Sequence, residues 1–166
     1  MKKINFKITK QVSELGIKVL TICISGIKNT KTNTNFDKYL EEELVKIKSQ
    51  WIDKDYGQDP VLDGFRILHT KVGRSNRKYI SSPEALLDAF LRRGRFPRIN
   101  TMVDIYNLVS LKTQLALGAH DIEHVMGNIT LKFTTSNEIF IPLGNNQQTI
   151  VQKGEYAYID DENNII

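Results

Sequence analysis

The hydrophobic pattern changes period part-way along the chain, and this change restricts the fold more than any other feature. From Phe36 the apolar residues Tyr39, Leu40, Leu44, Ile47 and Trp51 recur every three or four positions, the spacing of one helical face. After Gly127 the pattern alternates, and ITLKF (129–133), EIFIPL (138–143) and EYAYID (155–160) read as strands, with QQTIVQ (147–152) as a further one. Near the start, FKIT (6–9) reads as a short strand and IKVLTICISGI (17–27), rich in β-branched residues, as a central one. Helices in the middle and strands at the end predict an α+β fold. A chain of 166 residues fits one domain, 1–166, with a core that needs no disulfide or metal.

Local signals predict the helix boundaries. Lys28–Asn35 is a polar loop, and the helix after it turns Glu41, Glu42 and Glu43 mainly outward. Asp59-Pro60 starts a second helix, carrying Val61, Leu62, Phe65 and Leu68. Arg74–Ser82 is a polar loop, and Ser82-Pro83-Glu84 starts a third helix, with Ser82 as cap. Arg92 and Arg93 suit its last turn, and Gly94 terminates it. Asn100 or Thr101 caps the next helix, which runs to about Leu111. Gly144-Asn145-Asn146 is a turn.

Charge is segregated. Arg66–Arg98 holds nine Lys and Arg against two acids, an excess of +7, whereas the whole chain carries only +4. Residues 99–166 hold three lysines against eight acids. A basic block beside an acidic one predicts a face for a polyanion, with a solvated surface as the alternative. The single cysteine, Cys23, excludes an internal disulfide and reads as a buried small hydrophobe. The N-terminus lacks the apolar run of a signal peptide, and no run is long enough to span a membrane. A cytoplasmic setting is expected.

The helix after Asn100 carries apolar residues nearly all round, which predicts burial. Its polar residues Asn100, Asp104, Asn107, Ser110 and Gln114 fall on one stripe. Buried polar groups need partners, so the stripe either bonds to neighbouring elements or lines a polar pocket. His120 and His124 stand four apart in HDIEH, a metal-chelating spacing on a helix, but no third ligand motif accompanies them. His69, beside the basic block, reads as a surface residue. No nucleophile elbow, P-loop or dinucleotide fingerprint is present. Neither a metal nor a cofactor is expected.

The run from Phe96 to Phe133 resembles the B3/B4 domain of the phenylalanine–tRNA ligase beta subunit. Arg98, Asn100, Val103, Asp104, Asn107 and Val109 fit the pattern R-x-x-N-x-V-V-D-x-T-N-Y-V. Gln114, Ala119 and Asp121 fit the following G-Q-P-M-H-A-F-D. Asn137, Glu138, Leu143 and Gly144 sit where the family has its G-E-x-x-x-x-L-D-G hairpin, and AYIDDENN (157–164) is similar to its V-I-A-D-x-N-K strand. Ser82–Leu87, Phe96–Leu111 and Gly118–Asp121 resemble the free-standing branch of the family even more closely. The likeness covers about Pro60 to Ile166 and is strongest in the middle third.

The resemblance implies helices packed on a mixed, partly barrel-like sheet. It also implies a partner, tRNA or aminoacyl-tRNA, or a free amino acid. In the ligase this domain is the editing module, which hydrolyses tyrosine wrongly attached to phenylalanine tRNA with help from the histidine of H-A-F-D. Gly118 occupies that position here, and His120, two residues on, is the substitute if the backbone turns it inward. The expected ligand pocket is Asn100, Asp104, Asn107, Gly118 and Glu138. The expected RNA contacts are Arg92, Arg93, Arg95 and Arg98. The reading is a tRNA-associated domain that recognises aminoacyl-tRNA, with hydrolysis of mischarged tRNA in trans as its catalytic form. The alternative is a non-catalytic module for RNA or an amino acid. The apolar ending Ile165-Ile166, just after a strand, raises the expectation of a further C-terminal segment.

Overall fold

The computed structural model describes residues 3–166. The architecture is α+β, with five α-helices and a three-stranded mixed sheet. The described strands are not closed into a barrel. Two compact units are present: Ile24–Ala119, and the N-terminal residues to Cys23 together with His120–Ile166. Among the described residues no helix is long and apolar enough to cross a membrane.

In the second of these units, β1 (Phe6–Ile8) lies parallel to β2 (Ile129–Phe133), which pairs antiparallel with β3 (Tyr156–Asp160). The strand order is β1-β2-β3, with Phe6 opposite Ile129 and Leu131 opposite Tyr158. Helix α1 (Lys10–Ser13) follows β1, anchored where the Thr9 amide donates to the Leu131 carbonyl at 3.0 Å. Val12, Val125, Leu131 and Ile159 are buried and form the apolar centre. The stretch expected as a strand at 138–143 makes only isolated bridges, Ile139 to Asn164 and Phe140 to Thr149, and 147–152 contributes no more than Thr149.

The helical unit contains α2 (Thr34–Trp51), a short 3-10 turn (Tyr56–Gln58), α3 (Pro60–Lys71), α4 (Ser82–Leu91) and α5 (Thr101–Thr113). Their starts obey the local chemistry. Asp59 Oδ1 accepts from the amides of Val61 and Leu62, and Asn100 Oδ1 accepts from Val103, each satisfying donors that the first turn leaves open. Helix α4 has its cap one residue earlier than expected, at Ser81, whose side chain makes no cap bond. It ends as predicted: Gly94 takes φ +61 and the Arg95 amide reaches back to the Ala89 carbonyl at 2.9 Å. Leu40, Ile47, Tyr56, Leu62, Leu86, Leu87, Leu108 and Leu111 form one core, flanked by Phe36, Trp51, Phe90 and Phe96. Each fully buried leucine contributes roughly 1.5–3 kcal/mol through removal of its surface from water.

Three expectations are corrected. Residues 17–27 form no strand: Leu20 is 87% and Ile22 75% exposed, and no ladder pairs them. β-branched composition describes a residue's fitness for a sheet, and the hydrogen bonds of a sheet come from a partner remote in sequence. Glu43 does not face outward; it is buried between Lys46 (2.7 Å) and Lys112. Hydrogen bonds from Lys112 and then Lys46 hold its carboxyl below the usual range. Cys23 is exposed rather than buried. A thiol reagent should therefore label it stoichiometrically in the native protein, at a rate that denaturant barely raises. Labelling that waits for unfolding would show this segment to be packed.

Candidate functional site

The residues expected at the site fall in both units. Asn100, Asp104, Asn107, Gly118 and the four arginines belong to the helical unit, and His120 and Glu138 to the sheet unit. Asp104 is fully buried. Its Oδ2 accepts from Arg98 Nε at 2.6 Å and its Oδ1 from the Ile99 amide at 2.9 Å. Arg98 also pairs with Asp37 of α2, so one guanidinium joins α2 to the start of α5. Hydrogen bonding to Asp104, then to Asp37, outweighs desolvation and raises the Arg98 pKa above its ordinary value.

The other members of the polar stripe are also bonded within the protein, with one exception. Asn100 caps α5, Ser110 Oγ donates to the Leu115 carbonyl at 2.7 Å, and Gln114 Nε2 donates to the Leu111 carbonyl at 3.0 Å. Half-buried Asn107 makes no side-chain hydrogen bond among the described residues. The expectation that α5 is buried all round is corrected: Ile105 and Val109 are exposed. With Phe36, Tyr39, Leu108, Lys112 and Thr113 they line an apolar groove of about 210 Å³. Helical geometry puts that groove on the side of α5 opposite the stripe. Gly118 is exposed, and a Cβ there would meet open space.

In the sheet unit, buried Glu138 closes a tight turn. Its carboxylate accepts from the amides of Thr135 (2.9 Å) and Ser136 (3.0 Å) and from Thr135 Oγ1 (2.9 Å). Burial pushes the carboxyl up, and these bonds together outweigh it, leaving the pKa lowered. His120 and His124 do not lie on a helix, so their spacing loses its chelating meaning. His124 Nδ1 faces Asp121 at 3.3 Å. The exposed His120 ring packs edge-on against Tyr158, with centroids 5.6 Å apart, and desolvation lowers its pKa. Among the described residues no group of three His, Cys, Asp or Glu could hold a metal ion.

The basic block is partly neutralised from within. Arg66 donates to Glu84 at 2.7 Å and to the Gly57 carbonyl at 2.6 Å. Arg92 and Arg93 share Asp88, at 3.7 Å for Arg92, while Tyr56 donates its hydroxyl to the same carboxylate at 3.0 Å. Arg92 also lies over the Tyr56 ring at 5.1 Å. Bonds from Arg93, then Tyr56, lower the Asp88 pKa. The exposed side chain of Arg95 has no ionic or hydrogen-bonding partner among the described residues. His69, expected at the surface, is half-buried, and its Nδ1 is enclosed without a partner. Sequence reasoning missed Glu43, Asp37 and Asp88 as clamps. The acid-to-base spacing of Asp88 to Arg92 was visible, but the Glu43–Lys112 and Asp37–Arg98 pairs join residues remote in sequence.

These observations define an α+β chain with a basic helical unit in which α5 carries an internally bonded polar stripe. The chain belongs to the B3/4 domain family, whose model matches residues 66–166. A stretch of 64 residues is 36% identical to part of the phenylalanine–tRNA ligase beta subunit of Mycoplasma genitalium, covering 39% of this chain and 8% of that subunit. No solved structure matches the chain significantly.

Proposed function

We propose that this chain is a tRNA-associated domain that recognises aminoacyl-tRNA. One observation carries the reading: the +7 run from Arg66 to Arg98 lies inside the region that matches the B3/4 family. The relationship to a phenylalanine–tRNA ligase beta subunit supports tRNA as the polyanion. A single B3/B4-like domain over residues 1–166, in a cytoplasmic setting, belongs to the same proposal. Arg92, Arg93 and Arg95 are the phosphate-facing cations of this reading. Arg98 braces Asp104 and Asp37 and orients the segment from which α5 starts. Asn107 is the stripe residue with hydrogen-bonding capacity left for a ligand, and Gly118 leaves open space for one.

Binding without hydrolysis is the favoured form. Glycine stands where the resemblance implies a substrate-orienting histidine. The His120 ring packs against Tyr158, and among the described residues no carboxylate is hydrogen-bonded to it to orient it as a base. The test is deacylation of tyrosine-charged phenylalanine tRNA by the full chain, with His120→Ala beside it. Weak or absent turnover, together with measurable tRNA binding, is expected. Robust turnover abolished by His120→Ala would make His120 the working group and establish a deacylase. Turnover that survives the substitution would assign the chemistry to backbone and substrate groups.

A further inference from the structure

Five of the nine cations in the basic block lie between Asp63 and Glu84, where no acid occurs. Arg66 is bound to Glu84. Arg74, Arg77 and Lys78 belong to a turn after α3 that its own backbone closes: the Lys78 and Tyr79 amides both donate to the Ser75 carbonyl, at 3.1 and 2.9 Å. The turn presents Arg77, Lys78, Tyr79 and Ile80 to solvent. Arg77 has no ionic or hydrogen-bonding partner among the described residues. Arg74 and Lys78 lie over the Tyr79 ring, 5.6 and 5.4 Å from its centroid. An exposed aromatic ring on a hydrogen-bonded turn, with cations that can move from the ring to phosphate, has the composition of a single-strand platform. A base stacks on the ring and the flanking phosphates meet the cations.

Of the arginines after α4, Arg98 is held by Asp104 and Asp37, and Arg92 and Arg93 share Asp88, which leaves Arg95 as the unpaired cation there among the described residues. We infer that the turn Arg74–Ile80 is a contact site for single-stranded RNA, with Tyr79 stacking on an unpaired base and Arg77 and Lys78 holding its phosphates. This deepens the proposed function and rests on its reading of RNA as the partner. Duplex RNA offers no unstacked base, so Tyr79 gains nothing there, while the two cations serve both forms.

The experiment measures fluorescence anisotropy of the full chain with a short labelled single-stranded RNA of mixed sequence, and with a duplex of equal length, across a salt series. Thermal denaturation of each variant confirms folding. Arg77→Ala/Lys78→Ala should reduce the single-strand slope of log affinity against log salt by about 0.7 per lost contact. Tyr79→Ala should weaken single-strand binding by about ten-fold, leave the slope and the duplex affinity nearly unchanged, and be rescued by Tyr79→Phe. If the parent chain binds RNA but all variants match it, the turn is not the contact and the broader reading survives. Equal loss on single strand and duplex in Tyr79→Ala would remove the stacking role. A parent chain that binds neither RNA overturns both readings.

Discussion

Replacing Asp104 with alanine should cost about 2 kcal/mol of stability. The carboxylate is fully enclosed and answers two donors, Arg98 Nε and the Ile99 amide. Removal leaves the amide at the start of α5 without an acceptor. It also leaves Arg98 with Asp37 alone, loosening the tie between α2 and α5. The larger part of the loss is the stranded Ile99 amide, because Arg98 is half-exposed and keeps Asp37, so water and that carboxylate compensate it in part. Urea denaturation followed by circular dichroism measures the effect. Asp104→Asn preserves an acceptor for Ile99 and should fall between the two. A neutral alanine variant would show that the Arg98–Asp104 contact does not brace the fold.

The second large effect is expected at Asp160 in the sheet unit. This buried carboxylate accepts from the amides of Met126 (3.1 Å), Glu162 (3.0 Å) and Asn164 (2.9 Å), and from the Asn164 side chain. It ties the end of β3 to the residues that lead into β2. The neighbouring Asp161 accepts from Asn128 at 2.8 Å, crowding Gly127 so closely that a Cβ there would lie 2.2 Å from its carboxylate. Asp160→Ala strands three backbone donors and should cost roughly 2–4 kcal/mol.

The same knot is acid-sensitive. Burial pushes the Asp160 carboxyl up, but the bonds from Asn164, Met126 and Glu162 together outweigh it and hold the pKa below its ordinary 3.8. A depressed folded pKa means that the stabilisation is fully present above that ordinary value and is lost as pH falls through the folded one. Melting temperature should therefore drop below about pH 4, and part of the drop should vanish in Asp160→Asn. An identical acid profile in parent and Asn variant would remove Asp160 as its source.

The legible parts of the fold were those written in adjacent residues. The periodicity of α2, the Asp59-Pro60 start of α3 and the Asn100 cap of α5 are local, and the structure has them. So are the alternation of β2 and β3 and the stop at Gly94. What sequence could not supply was pairing. The run at 17–27 has strand composition without a ladder, and Glu43 looked like one more surface acid because Lys112 lies far along the chain. The polar stripe on α5 was visible as a pattern with two meanings. Only geometry showed that the side chains of Asn100, Asp104, Ser110 and Gln114 are bonded within the protein while that of Asn107 has no hydrogen bond among the described residues. For the arginines, composition counted charges, whereas the carboxylates of Asp37, Asp88 and Asp104 decide how many remain for a ligand.

The most direct test of a tRNA-recognition role is equilibrium binding of the full chain to phenylalanine tRNA, uncharged and carrying an aminoacyl group through a non-hydrolysable amide, across a salt series. Binding should weaken steeply as salt rises, because phosphate contacts release counterions, and the aminoacylated form should bind more tightly at every salt concentration. Absence of binding at low salt, or equal affinity for the two forms throughout, would contradict that role.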